Sequence, residues 1–249
     1  MHVLATDIIV MTPPEFLAVP AAYLIGAIPF GYLTAKRFRG IDIRTVGSGN
    51  IGATNVGRVL GFRFFLLVFG FDMAKGLLPT LGFPNVFTLL TAQPTPPDLR
   101  VLVALATILG HNFPVYLKFK GGKGVATSLG AVLALDPLAG FSSALGFGGA
   151  LAICRYVSLS SIIGGLIFCL VHFARVAEPW SRGERAMSVI TVGLVVLLVV
   201  RHRKNFARIM NGSEPKVGRG DKRTVSSDRS GRISLVWLFV MAASGILTL

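Results

Sequence analysis

Apolar residues in this chain come in long unbroken runs, not in the alternating stripes by which a soluble domain separates its core from its surface. Runs at 16–35, 62–81, 99–117, 125–135, 138–153, 159–173, 186–200 and 233–249 are separated by polar stretches. A helix needs about 17 to 25 apolar residues to cross a hydrocarbon core of about 30 Å. The pattern therefore predicts an all-α, polytopic transmembrane helical bundle of about seven core spans, with an extra apolar span at the C-terminus. The fourth run is short, and Asp136-Pro137 divides it from the fifth. Proline disfavours helix in the residue before it and carries no N–H to continue the ladder, so the pair reads as a tight turn or helix break.

On this reading residues 1–15 form an N-terminal segment outside the cytoplasm, 16–211 a membrane domain, 212–232 a basic flexible linker and 233–249 a terminal apolar segment. The linker is rich in Gly, Ser, Lys and Arg and lacks apolar periodicity, as a chain that cannot bury a core does. The first run lacks the basic leader and small-residue cleavage site of a secretory signal, and reads as a retained span. Alternate loops differ sharply in charge: 20 of the 25 Lys and Arg fall on one side when eight crossings start from outside. By the positive-inside rule that side is cytoplasmic.

Composition sharpens the picture. A hydrophobic content of 53% and mean hydropathy of +0.69 over 249 residues place the chain in a bilayer. The net charge of +14 would suggest nucleic acid in a soluble protein, but no nucleic-acid module fits between the spans. Membrane lipid and phosphorylated substrates are the expected counter-charges. Cys154 and Cys169 lie inside apolar runs without metal-ligand spacing, so neither a disulfide framework nor a zinc site is expected. With no carboxylate cluster, no metal and no cofactor is expected.

Polar residues gather in three clusters on the basic side. The first, at 47–58, holds Ser48, Gly49, Asn50, Thr54, Asn55 and Arg58. Glycines let successive N–H groups turn toward one point, hydroxyls and amides add neutral donors, and arginine supplies a fork suited to phosphate. An ordinary Gly/Ser/Asn turn is the plain alternative. Gly47, Gly49 and Gly52 spell GxGxxG, but no βαβ unit fits between two spans, so a dinucleotide fold is rejected.

The second cluster joins His111 and Asn112 to Lys118, Lys120, Gly121, Gly122, Lys123, Gly124 and Thr127, and runs into a span. A glycine turn feeding a helix N-terminus presents N–H groups and the positive end of the helix dipole to an anion. Gly124 stands where a nucleotide-binding P-loop has Ser or Thr, so a nucleotide triphosphatase is not expected. Interfacial anchoring would explain the lysines but not the glycines, and His111 alone reads as an interfacial histidine. The third cluster, at 201–216, includes His202, Asn205, Arg208 and the solitary Glu214. Asn205 and Arg208 share a face of a helix ending near Gly212, and Glu214 is expected to stay ionised and hold cations in place. Inside the second run, Asp72 and Lys75 lie three residues apart and are expected to pair.

These residues resemble the bacterial acyl-phosphate:glycerol-3-phosphate acyltransferase family over about 16–216, with SGNIGATNVGR at 48–58, GGKGVAT at 121–127 and RHRKNFARIMNGSEPK at 201–216 in the family's order. The resemblance implies transfer of a fatty acyl group from acyl phosphate to the primary (sn-1) hydroxyl of glycerol 3-phosphate. The products would be lysophosphatidic acid and phosphate, in phospholipid biosynthesis at the bacterial cytoplasmic membrane. It implies reacting-centre roles for Ser48, Arg58, His202, Asn205 and Glu214. It implies phosphate or substrate binding by Gly49, Asn50, Thr54, Asn55, Lys120, Gly121, Gly122, Lys123, Gly124, Thr127 and Arg208. The soluble enzyme that makes acyl phosphate is a candidate partner. His2 and Asp7 match the HxxxxD spacing of other acyltransferases, but they precede the first span and are read as accidental. The alternative function is a membrane transporter for a phosphorylated small metabolite, against which stand the one-sided clusters and the lack of an inverted repeat. A scaffold recruiting a soluble enzyme would leave the glycine loops without a purpose.

Overall fold

The structure, a computed structural model, describes residues 13–92 and 94–217. Its helices are α1 (Pro13–Ala27), α2 (Phe30–Arg39), α3 (Ala53–Leu60), α4 (Phe62–Thr91), α5 (Pro97–Asn112), α6 (Val125–Leu135), α7 (Pro137–Cys154), α8 (Val157–Arg175) and α9 (Arg185–Met210). No strand occurs among the described residues. Six helical segments are long and apolar enough to cross a membrane, α1 and α2 together counting as one, and α6 is a shorter apolar helix. Large apolar side chains such as Leu89, Leu145, Ile153 and Leu170 face outward, as hydrocarbon solvent allows. The expected span at 233–249 and the stretch 218–232 lie outside the described residues.

Two helices differ from the sequence expectation, and a third meets it. The first span breaks at Ile28-Pro29, because proline rejects a helical neighbour before it. The Ile28 carbonyl accepts from Phe30 N–H at 3.1 Å and from Lys75 Nζ at 2.8 Å, so the carbonyl at the break is satisfied. Second, α4 continues past Leu81 to Thr91 with Pro79 and Pro84 inside it. Third, α9 carries its helix through the basic third cluster, and Gly212, at φ +67°, follows its end. Residues 212–217 of the expected linker are packed: the Val217 N–H donates to the Arg155 carbonyl at 2.9 Å.

The break at Asp136-Pro137 is present, with the Asp136 carboxylate accepting from Ala139 N–H at 3.1 Å as the N-cap of α7. Arg175, in the last turn of α8, clasps that carboxylate at 2.8 and 2.9 Å. The polar loops lie at the other end, so α6 and α7 run antiparallel from this turn. With 11 residues against 18, α6 is shorter by about 10 Å. It lies close against α4 because Gly76 abuts the Thr127 backbone and Gly130 abuts Met73 and Leu77, where a Cβ would not fit. One apolar core of Ala104, Ile108, Ala131, Val132, Phe168 and Leu194 joins α5, α6, α8 and α9. A second, containing Ala35, Ile43, Ile51, Val56, Leu60 and Val68, seats the first polar cluster against α4.

Candidate active site

The first cluster is folded around Asn55. This residue is 2% exposed, and its Nδ2 donates to the carbonyls of Asn50 at 2.9 Å, Val46 at 3.1 Å and Ile43 at 3.3 Å. Its Oδ1 accepts the Ser48 N–H at 2.8 Å. The sequence placed Asn55 among the phosphate donors; its amide instead turns inward and shapes the loop. Asn50 acts likewise, its Oδ1 accepting the Gly52 N–H at 2.8 Å. Gly47 and Gly49, at φ +59° and +70°, carry the left-handed turns that bring the chain round. Ser48 is thereby left exposed at the loop's tip, and Arg58 is exposed on α3.

The glycine loop before α6 is locked from below. Gly122 N–H donates to the His111 carbonyl at 3.1 Å, and Gly121 sits against the His111 and Asn112 carbonyls. Arg201 reaches across from α9, its Nη2 donating to the carbonyls of Asn112 at 3.3 Å, Gly121 at 3.2 Å and, most closely, Gly122. Its guanidinium lies over the Phe113 ring, 5.1 Å from the centroid.

Lys123 joins the second cluster to the third. Its Nζ donates to Asn205 Oδ1 at 2.6 Å, and Asn205 Nδ2 donates to Glu214 Oε1 at 2.6 Å. The other oxygen of Glu214 accepts from Arg208 Nε at 2.7 Å, while Ser158 Oγ reaches Oε1 at 3.3 Å. Glu214 is 7% exposed, so each of these bonds offsets the cost of burying its charge. Its role as a tie for cations is the one its sequence context suggested. Burial pushes the Lys123 ammonium down to about 8; Glu214 favours the charged form, whereas Arg208, Arg58 and Arg201 oppose it. Arg58 is thus close enough to act on Lys123 through its field, and all three clusters meet around one ammonium. His202 is 1% exposed, and its Nδ1 donates to the Leu198 carbonyl at 2.8 Å. A carbonyl can only accept, so this contact puts the ring proton on Nδ1 and, in the neutral ring, leaves the lone pair on Nε2.

Not every expected residue comes to this place. Lys120 is exposed on the loop. Thr127 is fully buried on α6 beside α4, so its hydroxyl is shut off from the recess. His111, read from sequence as interfacial, is buried, with Nδ1 3.5 Å from Asp72 Oδ1. That same oxygen lies 2.9 Å from Lys75 Nζ, so the expected pair forms and supports the loop from beneath. Arg201 is not singled out within the third cluster by sequence. Its signal was its place one turn before Asn205, on the same helical face. Among the described residues no group of His, Cys, Asp and Glu could hold a metal ion.

A multi-pass helical bundle whose three polar, glycine-rich clusters gather cationic side chains at one end defines an integral membrane protein. The family model described as glycerol-3-phosphate acyltransferase matches residues 16–212, and the chain belongs to that family. A glycerol-3-phosphate acyltransferase of Acholeplasma laidlawii is 38% identical over 219 residues, covering 81% of this chain and 92% of the relative. One of Staphylococcus haemolyticus is 44% identical over 198 residues, covering 79% and 94%. The fold matches the crystal structure of PlsY, an integral membrane glycerol 3-phosphate acyltransferase, in its glycerol 3-phosphate form. The TM-score is 0.72 at 38% identity, over 82% of this chain and 96% of that one. Its lysophosphatidic acid form gives 0.69 at 37% identity, over 82% and 95%.

Proposed function

We propose that this chain moves a fatty acyl group from an acyl phosphate to the sn-1 hydroxyl of glycerol 3-phosphate, on the cytoplasmic face of the bacterial cytoplasmic membrane. Lysophosphatidic acid and inorganic phosphate are the products. The observation that carries the reading is the meeting of the three clusters around Lys123, with Asn205 and Glu214 bonded in series and Arg58, Arg201 and Arg208 within electrostatic range. Both substrates carry phosphate and would repel each other. A phosphate about 4 Å from a Lys or Arg gains roughly 4 kcal/mol at an effective dielectric near 20, before desolvation, so a few such contacts can hold both.

An acyl phosphate is a mixed anhydride with a good leaving group, so alignment and charge stabilisation are the main demands. The glycerol oxygen attacks the acyl carbon, the bond from that carbon to the bridging phosphate oxygen breaks, and phosphate leaves with the electron pair. The hydroxyl proton goes to a substrate phosphate oxygen. This route is supported by the state of the protein's own bases: Glu214 is occupied by its donors, His202 is buried and tied to Leu198, and His111 faces Asp72. Ser48 and Arg58, exposed at the rim, meet the reacting groups, while Gly121, Gly122, Lys123 and Gly124 cradle phosphate. Gly49 and Thr54 help form the recess, Asn50 and Asn55 keep its first loop in shape, and Arg208 adds charge. Delivery of donor involves the soluble acyl-phosphate-forming enzyme.

The test is phosphate release by purified protein given acyl phosphate, with and without glycerol 3-phosphate, for the wild type, Ser48→Ala and Arg58→Ala. Release that requires glycerol 3-phosphate, yields lysophosphatidic acid and fails in both variants is expected. A folded protein that binds glycerol 3-phosphate but forms no product would overturn the assignment in favour of transport.

A further inference from the structure

We infer that Arg201 is a positioning residue that turns the N–H groups of the glycine loop toward substrate phosphate without touching the substrate; this rests on the acyl-transfer reading of the site. The argument starts from peptide geometry. In a trans peptide the C=O and the following N–H point in opposite directions, and no cis peptide occurs among the described residues. The bond from Arg201 Nη2 to the Gly122 carbonyl therefore turns the Lys123 N–H away from α9. The bond to the Gly121 carbonyl likewise turns the Gly122 N–H away from Arg201, onto the His111 carbonyl at 3.1 Å. Held from both sides, this peptide is fixed, and it sets the plane of the next, whose N–H is left without a backbone carbonyl.

Among the described residues neither the Lys123 nor the Gly124 N–H donates to a backbone carbonyl. They adjoin the start of α6, where the first N–H groups also lack helical partners. The third acceptor of Arg201 is the Asn112 carbonyl, at the C-terminus of α5, where a cation is favoured by the helix dipole. One guanidinium thus collects carbonyl oxygens from a helix end and from two consecutive loop peptides. Its place over the Phe113 ring, 5.1 Å from the centroid, adds a cation–π contact that helps hold it there. A lysine could supply the charge but not a guanidinium that lies over the ring while its Nη2 reaches the carbonyls, so charge and orientation are separable by substitution.

The full-length protein is purified as wild type, Arg201→Ala, Arg201→Lys and, as a control on an exposed neighbour, Arg203→Ala. Inorganic phosphate is titrated while the melting temperature is followed, and KM for each substrate and kcat are measured separately. In Arg201→Ala the phosphate needed for half the thermal shift should rise at least about tenfold, and KM for at least one phosphate-bearing substrate should rise by a similar factor, with kcat changing less. Added guanidinium ion should recover part of the loss; Arg201→Lys should resemble the alanine variant, and Arg203→Ala the wild type. If alanine does not fold, the lysine variant with its charge intact carries the same test. Wild-type phosphate affinity and KM in the folded variant, or a fall in kcat alone, would overturn the inference, as would failure of the wild type to bind phosphate. Phosphate binding without acyl transfer would instead sink the acyltransferase reading and leave the thermal-shift arm to decide the role of Arg201.

Discussion

Lys123 and Asn205 are 82 residues apart in sequence, yet the lysine Nζ donates to the amide Oδ1 over 2.6 Å. This bond fixes the Asn205 amide, since its other half must then offer N–H to Glu214. Flipping the amide would point NH2 at an ammonium and oxygen at a carboxylate. Replacing Asn205 by Asp sets two carboxylates face to face, and Glu214→Gln confronts Arg208 or Asn205 with a donor where an acceptor belongs. Each change should lower stability by about 1–3 kcal/mol and turnover by at least about tenfold. Thermal unfolding in detergent alongside initial rates tests this; unchanged melting in both variants would refute the network.

The Lys123 ammonium, pushed down to about 8 by burial, predicts opposite pH trends for binding and stability. Above about pH 8 the neutral amine predominates and loses its hold on phosphate, so KM for a phosphate substrate should rise. Between about 8 and the ordinary value of 10.5 the unfolded chain binds more protons at this site than the folded one, so this group's contribution to stability should rise with pH. KM profiles and melting temperatures across this range, in wild type and Lys123→Met, read both trends. A wild-type KM flat through pH 8, or a variant that keeps the rise, would assign the charge requirement elsewhere.

A methyl group added at Gly122 would overlap the ring Nε2 of His111, and one at Gly121 would overlap backbone carbonyls. The histidine is buried and cannot swing aside freely. Gly122→Ala should therefore displace the loop and reduce kcat/KM by at least about a hundredfold, roughly 2.7 kcal/mol of transition-state binding. Pairing it with His111→Ala, which opens the space, should recover part of the loss. Activity near wild type in the single variant would show that the close fit is dispensable.

Asn55 tests a different property, the shape of the first loop. Alanine there orphans the Ser48 N–H and removes a donor group shared by three carbonyls, at a cost of about 1–3 kcal/mol. Aspartate keeps the acceptor for Ser48 but faces those carbonyls with negative charge, and should be the worse of the two. Hydrogen exchange over 43–55 should quicken in both. Loss of activity without faster exchange would return Asn55 to direct substrate contact.

The bundle and its three clusters could be read from sequence because run length, Gly-rich spacing and proline are local signals. Asp136-Pro137 announced the turn between α6 and α7, and Ile28-Pro29 carried the same signal for the break in the first span, overlooked inside a long apolar run. Pro79 and Pro84 are the opposite case, since packing in the bundle keeps α4 helical through both. The division of labour within clusters was not legible. Ser48 and Asn55 are alike as short polar residues of one motif; only the fold shows that one is presented and the other consumed. Arg201 differs from Arg203 in sequence only by sharing a helical face with Asn205, because what it binds is the backbone, which has no sequence signature.

The short reach of α6 has a consequence for how a soluble and a greasy molecule meet. Counting from the turn at Asp136, its N-terminus stops about 10 Å short of the level at which α7 ends. The glycine loop thus lies deeper toward the hydrocarbon than the end of α7. On the acyl-transfer reading, a hydrophilic acceptor comes down to this loop while the donor's tail stays in its own leaflet, so neither has to change phase before the two react.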